Sequence, residues 1–155
     1  MKVAIVYCSE HQQNTKKLVE AIATEHKVKL IDVNATKTYN LNRFDLIGFA
    51  SGIYYSKFSD KIIDFAKENL PMFKRVFLLY TCGSMRDYYT KAITAVVDDK
   101  ICDVVGSYGC NGFGSFGFIS WFGGISRGRP NEQDIKGAVE FFEGLITPQT
   151  ENTGN

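Results

Sequence analysis

Residues 3–23, VAIVYCSEHQQNTKKLVEAIA, decide the reading of the fold. Val3 to Tyr7 is a short, continuous apolar run rich in β-branched residues, and such a run reads as a strand buried on both faces. Cys8 to Gln13 is a polar loop. Asn14 is a good helix N-cap, and Leu18, Val19, Ile22 and Ala23 follow it at helical spacing. A buried strand therefore passes through a polar loop into an amphipathic helix.

The same order recurs along the chain, with no internal repeat of sequence. Val28 to Val33 reads as a second strand and Asp45 to Ser51 as a third. Ser59 caps a helix carrying Ile62, Ile63, Phe65, Ala66 and Leu70, which Pro71 ends. Val76 to Thr81 is a fourth strand. Ser84 opens a helix with Tyr88, Tyr89, Ala92, Ile93, Val96 and Val97 on one stripe. Ile101 to Gly106, extending at most to Cys110, is the fifth strand. Asn131, after Pro130, caps a last helix with Ile135, Ala138, Val139, Phe142, Leu145 and Ile146 inward. Only Asn34 to Phe44 is too short for a crossover helix. Alternating apolar strands and helices call for an α/β fold, a parallel sheet covered on both faces. Residues 1–147 are read as one domain and 148–155 as a polar tail.

Composition agrees. A chain of 155 residues with 45% apolar and 23% charged residues suits one globular domain and excludes a mainly disordered one. The net charge of +1, with no basic stripe, argues against nucleic acid as a partner. No apolar run approaches a membrane span. The start, MKVAIVYCSE, lacks the pattern of a secretory leader, so a soluble, cytoplasmic protein is expected. Cys8, Cys82, Cys102 and Cys110 form no CxxC pair, and the histidines are only His11 and His26. A structural zinc site is not expected, and reduced, partly buried thiols are.

In open parallel sheets, ligands bind beyond the carboxyl ends of the strands. Four loops start there, at Cys8, Ser51, Thr81 and Cys110. The first, Ser9 to Thr15, is rich in hydroxyls and amides and runs into a helix N-terminus, where free N–H groups favour an anion. Lys16 and Lys17 in that first turn oppose the helix dipole, a cost that a bound anion would offset. The plain alternative is a well-capped helix with two solvated lysines. The loop has no glycine, so it is no Walker A motif. Asn14 stands where a low-molecular-weight phosphatase would place arginine six residues after Cys8. Ala50, Ser51 and Gly52 stand where a response regulator would carry its aspartate. In the third-strand loop, SGIYYSKF (51–58), Tyr54, Tyr55 and Phe58 offer flat faces for a planar ring, unless they pack beneath the loop. Gly112 to Gly117 matches GxGxxG, but no amphipathic helix follows it, so a dinucleotide fingerprint is rejected. Cys8, Cys82 and Cys110 fall at strand ends, either as redox groups or, more ordinarily, as small core residues.

At these loops the sequence resembles the flavodoxin family over nearly the whole chain, Val3 to Ile146. VYCSEHQQNTKKLVEAIA (6–23) looks like the family's phosphate loop and first helix, and FDLIGFASGIYYSKFSDKIIDF (44–65) like the third strand and the loop beside the isoalloxazine. YTCGS (80–84) looks like the next flavin-edge loop. GCNGFGSFGF (109–118) with GGISRGRPNEQDIKGAVEFF (123–142) is similar to the last loop and helix of a short bacterial branch. The resemblance implies a three-layer sandwich around a five-stranded parallel sheet of order 2-1-3-4-5. It implies non-covalent FMN and electron transfer between redox partner proteins, whose identity it leaves open. Carried over by position, Ser9, Gln12, Gln13, Asn14 and Thr15 would cradle the phosphate. Ser51, Gly52, Ile53 and Tyr54 would line the flavin, and Thr81, Cys82 and Gly83 would approach its pyrimidine side. Asn111, Gly112 and Phe113 are further candidates. An NAD(P)H-dependent quinone or azo reductase on the same fold, and a flavin-free interaction domain, stay open beside the carrier. Two departures bear on function. The family usually has glycine where Gln13 stands, and left-handed backbone there would be strained for glutamine. Classical flavodoxins find basic partners through a strongly acidic field, which a net charge of +1 does not provide.

Overall fold

The computed structural model describes residues 1–10, 13–112 and 129–148. Along the described residues the order is β1 (Val3–Cys8), α1 (Asn14–Glu25), β2 (Lys29–Asp32), β3 (Leu46–Tyr54), β4 (Lys57–Phe58), α2 (Asp60–Asn69), β5 (Arg75–Cys82), α3 (Lys91–Asp99), β6 (Asp103–Asn111) and α4 (Glu132–Ile146). The five long strands are parallel and lie in the order β2-β1-β3-β5-β6. This is the expected flavodoxin-like order, with β4 added as a short antiparallel partner of the end of β3.

The apolar runs are explained by two cores, one on each face of the sheet. Residues alternate between faces with the period of the strand. Ala4, Val6 and Cys8 of β1, Ile47 and Phe49 of β3, and Val76, Leu78, Tyr80 and Cys82 of β5 meet α2 and α3 in one core. Val3, Ile5, Tyr7, Leu46, Ala50, Phe77 and Leu79 meet α1 and α4 in the other. Every residue of β1 is buried, so it takes apolar side chains on both faces. Leu18, Val19 and Ile22 of α1 are fully buried, each contributing about 1.5–3 kcal/mol relative to exposure.

The helix ends follow from local chemistry. The Ser59 hydroxyl accepts from the Lys61 N–H at 3.3 Å and starts α2. α4 opens on a capping box. The Asp134 N–H donates to Asn131 Oδ1 at 2.9 Å, and the Asn131 N–H donates to Asp134 Oδ2 at 2.8 Å. Burial alone would raise the Asp134 carboxyl pKa. The Arg129 guanidinium and the Asn131 N–H override that and hold it below the usual range.

Several boundaries differ from the sequence reading by a residue or more, β6 for one running from Asp103 to Asn111, and three of the differences bear on the site or the helices. β3 does not stop at Ser51 but continues to Tyr54, because it folds back as a hairpin that pairs Ile53 with Phe58 and Tyr54 with Lys57. Gln13, not Asn14, is the cap residue of α1. α3 begins at Lys91 rather than at Ser84. Residues 84–90 instead form turns closed by local bonds: Tyr89 Oη donates to the Ser84 carbonyl at 2.7 Å, and Arg86 Nη1 donates to Ser84 Oγ at 3.0 Å. Tyr89 still reaches the core, edge-on to Tyr80 at 6.2 Å between ring centres, so an inward stripe was read correctly while its backbone was not.

α3 ends in a Schellman motif. The Cys102 N–H donates to the Val97 carbonyl at 3.1 Å and the Ile101 N–H to the Asp98 carbonyl at 2.9 Å. The left-handed position in it is held by Ile101, at φ 53° and 59% exposed. A β-branched residue there is disfavoured, and its exposed side chain recovers little by packing. Ile101→Gly should therefore stabilise the protein by about 0.5–1 kcal/mol, read as a higher urea midpoint with an unchanged slope. A lower midpoint would show that Ile101 contributes packing that outweighs the strain.

Candidate functional site

The carboxyl ends of β1, β3, β5 and β6 lie side by side, which brings most of the described site residues to one edge of the sheet. On the α1 side, Thr15 and Thr81 bond through their hydroxyls at 3.1 Å, both buried. This pair ties the start of α1 to the end of β5. The Gly112 N–H donates to the Cys82 carbonyl at 2.9 Å and seats the end of β6 beside that of β5. A Cβ on Gly112 would lie 2.7 Å from Asn14 Nδ2, so only glycine lets this backbone approach the amide. Asn111 Oδ1 is buried and has no hydrogen-bond partner among the described residues.

The loop entering α1 is tied to the helix at its base. The Ser9 hydroxyl accepts from the Lys16 N–H at 3.2 Å. Gln13 has φ 56° and ψ 31°, the left-handed conformation, and its side chain makes no capping bond. A glutamine thus holds a backbone conformation that favours glycine. No acid stands in the first turn of α1, where the sequence instead has Lys16 and Lys17. α2 and α4, by contrast, begin with Asp60 and with Glu132 and Asp134.

Across the edge, a Cβ on Gly52 would lie 2.7 Å from Tyr54 Oη and 2.9 Å from Cζ, so the Tyr54 ring folds back over Gly52. Burial pushes the Tyr54 hydroxyl pKa up, the charges of Cys8 and Glu10 add to this, and a hydrogen bond from the Glu10 backbone opposes it. Tyr54 thereby links the hairpin to the first loop. Tyr55 and Ser56, at φ 51° and 65°, form the two-residue turn, and Tyr55 is 99% exposed. Ser51 is fully buried. Its hydroxyl accepts from the Ser59 N–H at 2.9 Å and donates to the Gly52 carbonyl at 2.6 Å. Its side chain secures β3 to α2, which leaves only its backbone at the edge. Ile53 packs against the α2–α3 core. Gly83 is exposed beyond β5. Gln12 and Phe113 lie outside the described residues, as does the glycine-rich stretch after Phe113.

Sequence reasoning missed Lys61, in the first turn of α2. Its ammonium bonds the Glu10 carboxylate and also Asn34 Oδ1, the latter at 2.9 Å. No motif marks it, since the contact joins segments far apart in the chain.

The cysteines are all unbridged and buried. Burial pushes the Cys82 thiol up to about 11 and, with the Asp134 carboxylate adding to the effect, the Cys110 thiol up to about 12. Burial also raises Cys8. These are protonated thiols at neutral pH, suited to packing rather than nucleophilic attack.

Two outcomes follow from this geometry. Gln13→Gly should raise stability by about 0.5–1 kcal/mol in thermal or urea unfolding, because it removes the left-handed Cβ penalty without losing a side-chain capping bond. A destabilised variant would mean the glutamine side chain earns its place through contacts. In native protein at pH 8, iodoacetamide should label Cys8, Cys82 and Cys110 more than about a hundredfold more slowly than in urea-unfolded protein. Rapid native labelling of Cys82 would reopen a redox role.

Residues 4–105 match the flavodoxin domain family. An uncharacterized protein of Methanocaldococcus jannaschii is 31% identical over 148 residues, which span 94% of this chain and 99% of that protein. Among solved structures, an archaeal flavodoxin superposes with a TM-score of 0.61 at 17% identity, covering 94% of this chain and 99% of its own. A flavoprotein of Lactobacillus acidophilus, solved in complex with FMN, superposes with a TM-score of 0.54 at 18% identity, over 71% of this chain and 92% of its own. Among the described residues, no helix is long and apolar enough to cross a membrane. With the family's domain matched over most of the chain and the family's strand order built at its core, the chain belongs to the flavodoxin family.

Proposed function

We propose that this protein holds FMN non-covalently across the carboxyl ends of β1, β3, β5 and β6 and carries electrons between redox partner proteins. The observation that carries the reading is the buried Asn111 Oδ1, an acceptor with no partner among the described residues at the edge where the loops converge. A buried acceptor left unpaired costs about 1–3 kcal/mol, and a ligand N–H would satisfy it. The rest of the edge fits the same group. The start of α1, free of acids and followed by two lysines, suits a phosphate held by Ser9, Gln12, Gln13, Asn14 and Thr15. The Gly52 and Tyr54 edge offers a flat aromatic face for a planar ring. Thr81, Cys82 and Gly83 follow at the end of β5, and Asn111 and Gly112 at the end of β6 beside it. Gln12 and Phe113, which lie outside the described residues, are proposed with them.

When bound, the flavin supplies reversible electron uptake. The protein supplies binding, orientation and a local field. The Thr15–Thr81 and Gly112–Cys82 bonds fix the spacing between the first and last loops. Burial keeps the neighbouring thiols protonated, so none of them adds negative charge beside an electron-rich ring. Gln13 takes the backbone conformation that glycine would take, and this supports a flavin carrier over a flavin-free interaction domain. Found as isolated, the carrier should show a flavin spectrum after reconstitution with FMN and no steady NAD(P)H oxidation on its own. Steady turnover would replace the carrier with a reductase.

Asn111→Ala separates ligand binding from folding. The apo protein should keep its stability within about 1 kcal/mol, because the deleted oxygen has no partner among the described residues to lose. FMN affinity, followed by quenching of flavin fluorescence, should fall about tenfold. Unchanged affinity would remove Asn111 from the site.

A further inference from the structure

We propose that Lys61 is a positioning residue that cancels the charge of Glu10 on the first loop and thereby sets the preference for phosphorylated flavin over riboflavin. The inference rests on the flavin site proposed above.

Glu10 is the anomaly. It follows Ser9, whose hydroxyl bonds the Lys16 N–H in the first turn of α1, and its backbone meets the Tyr54 hydroxyl. An unpaired carboxylate on this loop would oppose a phosphate dianion bound at the α1 N-terminus, because like charges within a Debye length repel. Lys16 gives Glu10 no relief, since its ammonium turns along the helix to Glu20 at 3.7 Å.

Lys61 answers that charge from another element. Its ammonium pairs with the Glu10 carboxylate and donates to Asn34 Oδ1 at 2.9 Å. Asn34 is itself anchored, because its N–H donates to Asp32 Oδ1 at 2.8 Å. The ammonium is thus held between the loops that follow β1 and β2. Its side chain is 45% exposed and that of Glu10 34%, so neither is buried as a core ion pair would be. The Glu10 hydrogen bond, more than any other influence, raises the Lys61 pKa, and the ammonium stays charged across the physiological range. A pair exposed to this degree adds little to stability. Its consequence lies in the field it leaves on the loop. With Lys61 present the Glu10 charge is neutralised, and the α1 N-terminus acts on an incoming phosphate without an opposing carboxylate.

The test measures the dissociation constants of FMN and riboflavin by fluorescence quenching, with far-UV circular dichroism confirming that each variant folds. Lys61→Met should weaken FMN about three- to tenfold and leave riboflavin unchanged, because only FMN brings the phosphate charge. Lys61→Arg should keep the wild-type ratio of the two constants. Adding Glu10→Gln to Lys61→Met should restore that ratio. Equal losses for both ligands would make Lys61 a brace of loop shape alone and overturn the inference. So would an unchanged FMN constant, or a double variant that fails to restore the ratio. If the wild-type protein binds neither flavin, the reading of the site falls and this inference with it.

Discussion

Burial of β1 on both faces is the constraint on which the rest of the structure depends. Its six residues lie between β2 and β3, under α1 on one side and α2 on the other, and none can be polar at depth without an internal partner. Polar chemistry is therefore expelled to the point where the strand leaves the core, at Ser9 and beyond. The neighbouring strands obey the same rule. β3 turns polar at Ser51 and β5 at Thr81, one register step apart: Ser51 pairs with Cys8 and with Tyr80, and Gly52 with Thr81. The edge collects hydroxyls, amides and glycines because it is the first place along each strand where they are affordable. A ligand site there follows from how the core is made.

This explains what could be read from the sequence. A doubly buried strand writes itself as an unbroken apolar run, so β1, β3 and β5 were visible, and the sheet with them. The caps of α2 and α4 were visible because Ser59 and Asn131 act locally, within three residues. The hairpin after β3 was not. Its turn is Tyr55-Ser56, both left-handed, where the signal for such a turn would be Asn-Gly or a close relative. Residues 84–90 misled for the opposite reason. Their apolar spacing is helical, yet the Ser84 carbonyl and hydroxyl bond Tyr89 and Arg86 and offer the backbone an alternative to the helix.

The site divides along the same line. Thr81, Gly52 and Gly112 were legible as strand-end residues, because position along a strand implies position on the edge, and Thr15 as the start of the helix that follows the first strand. What each side chain does was less legible. Ser51 has the composition of a ligand contact, but its hydroxyl is spent on the Ser59 N–H and the Gly52 carbonyl. Lys61 was invisible, because its partners come from the ends of β1 and β2 and no sequence spacing relates them. Long-range side-chain pairing is the part of a site that one sequence does not print.

Gln13 shows how the fold and the site meet. A glutamine in left-handed backbone is disfavoured by roughly 1–2 kcal/mol, so it persists only where its surroundings leave no alternative. Here they are fixed from both directions. Ser9 holds the Lys16 N–H in the first turn of α1, the Lys17 N–H donates to the Gln13 carbonyl at 3.2 Å, and Thr15 is bolted to Thr81 across the edge. Behind these, Leu18, Val19 and Ile22 press α1 against the sheet. For Gln13 to relax, the first turn of α1 would have to shift, which would break the Thr15–Thr81 bond and lift Leu18 out of a fully buried position. The core therefore enforces the left-handed conformation at Gln13 without the glycine that would adopt it freely.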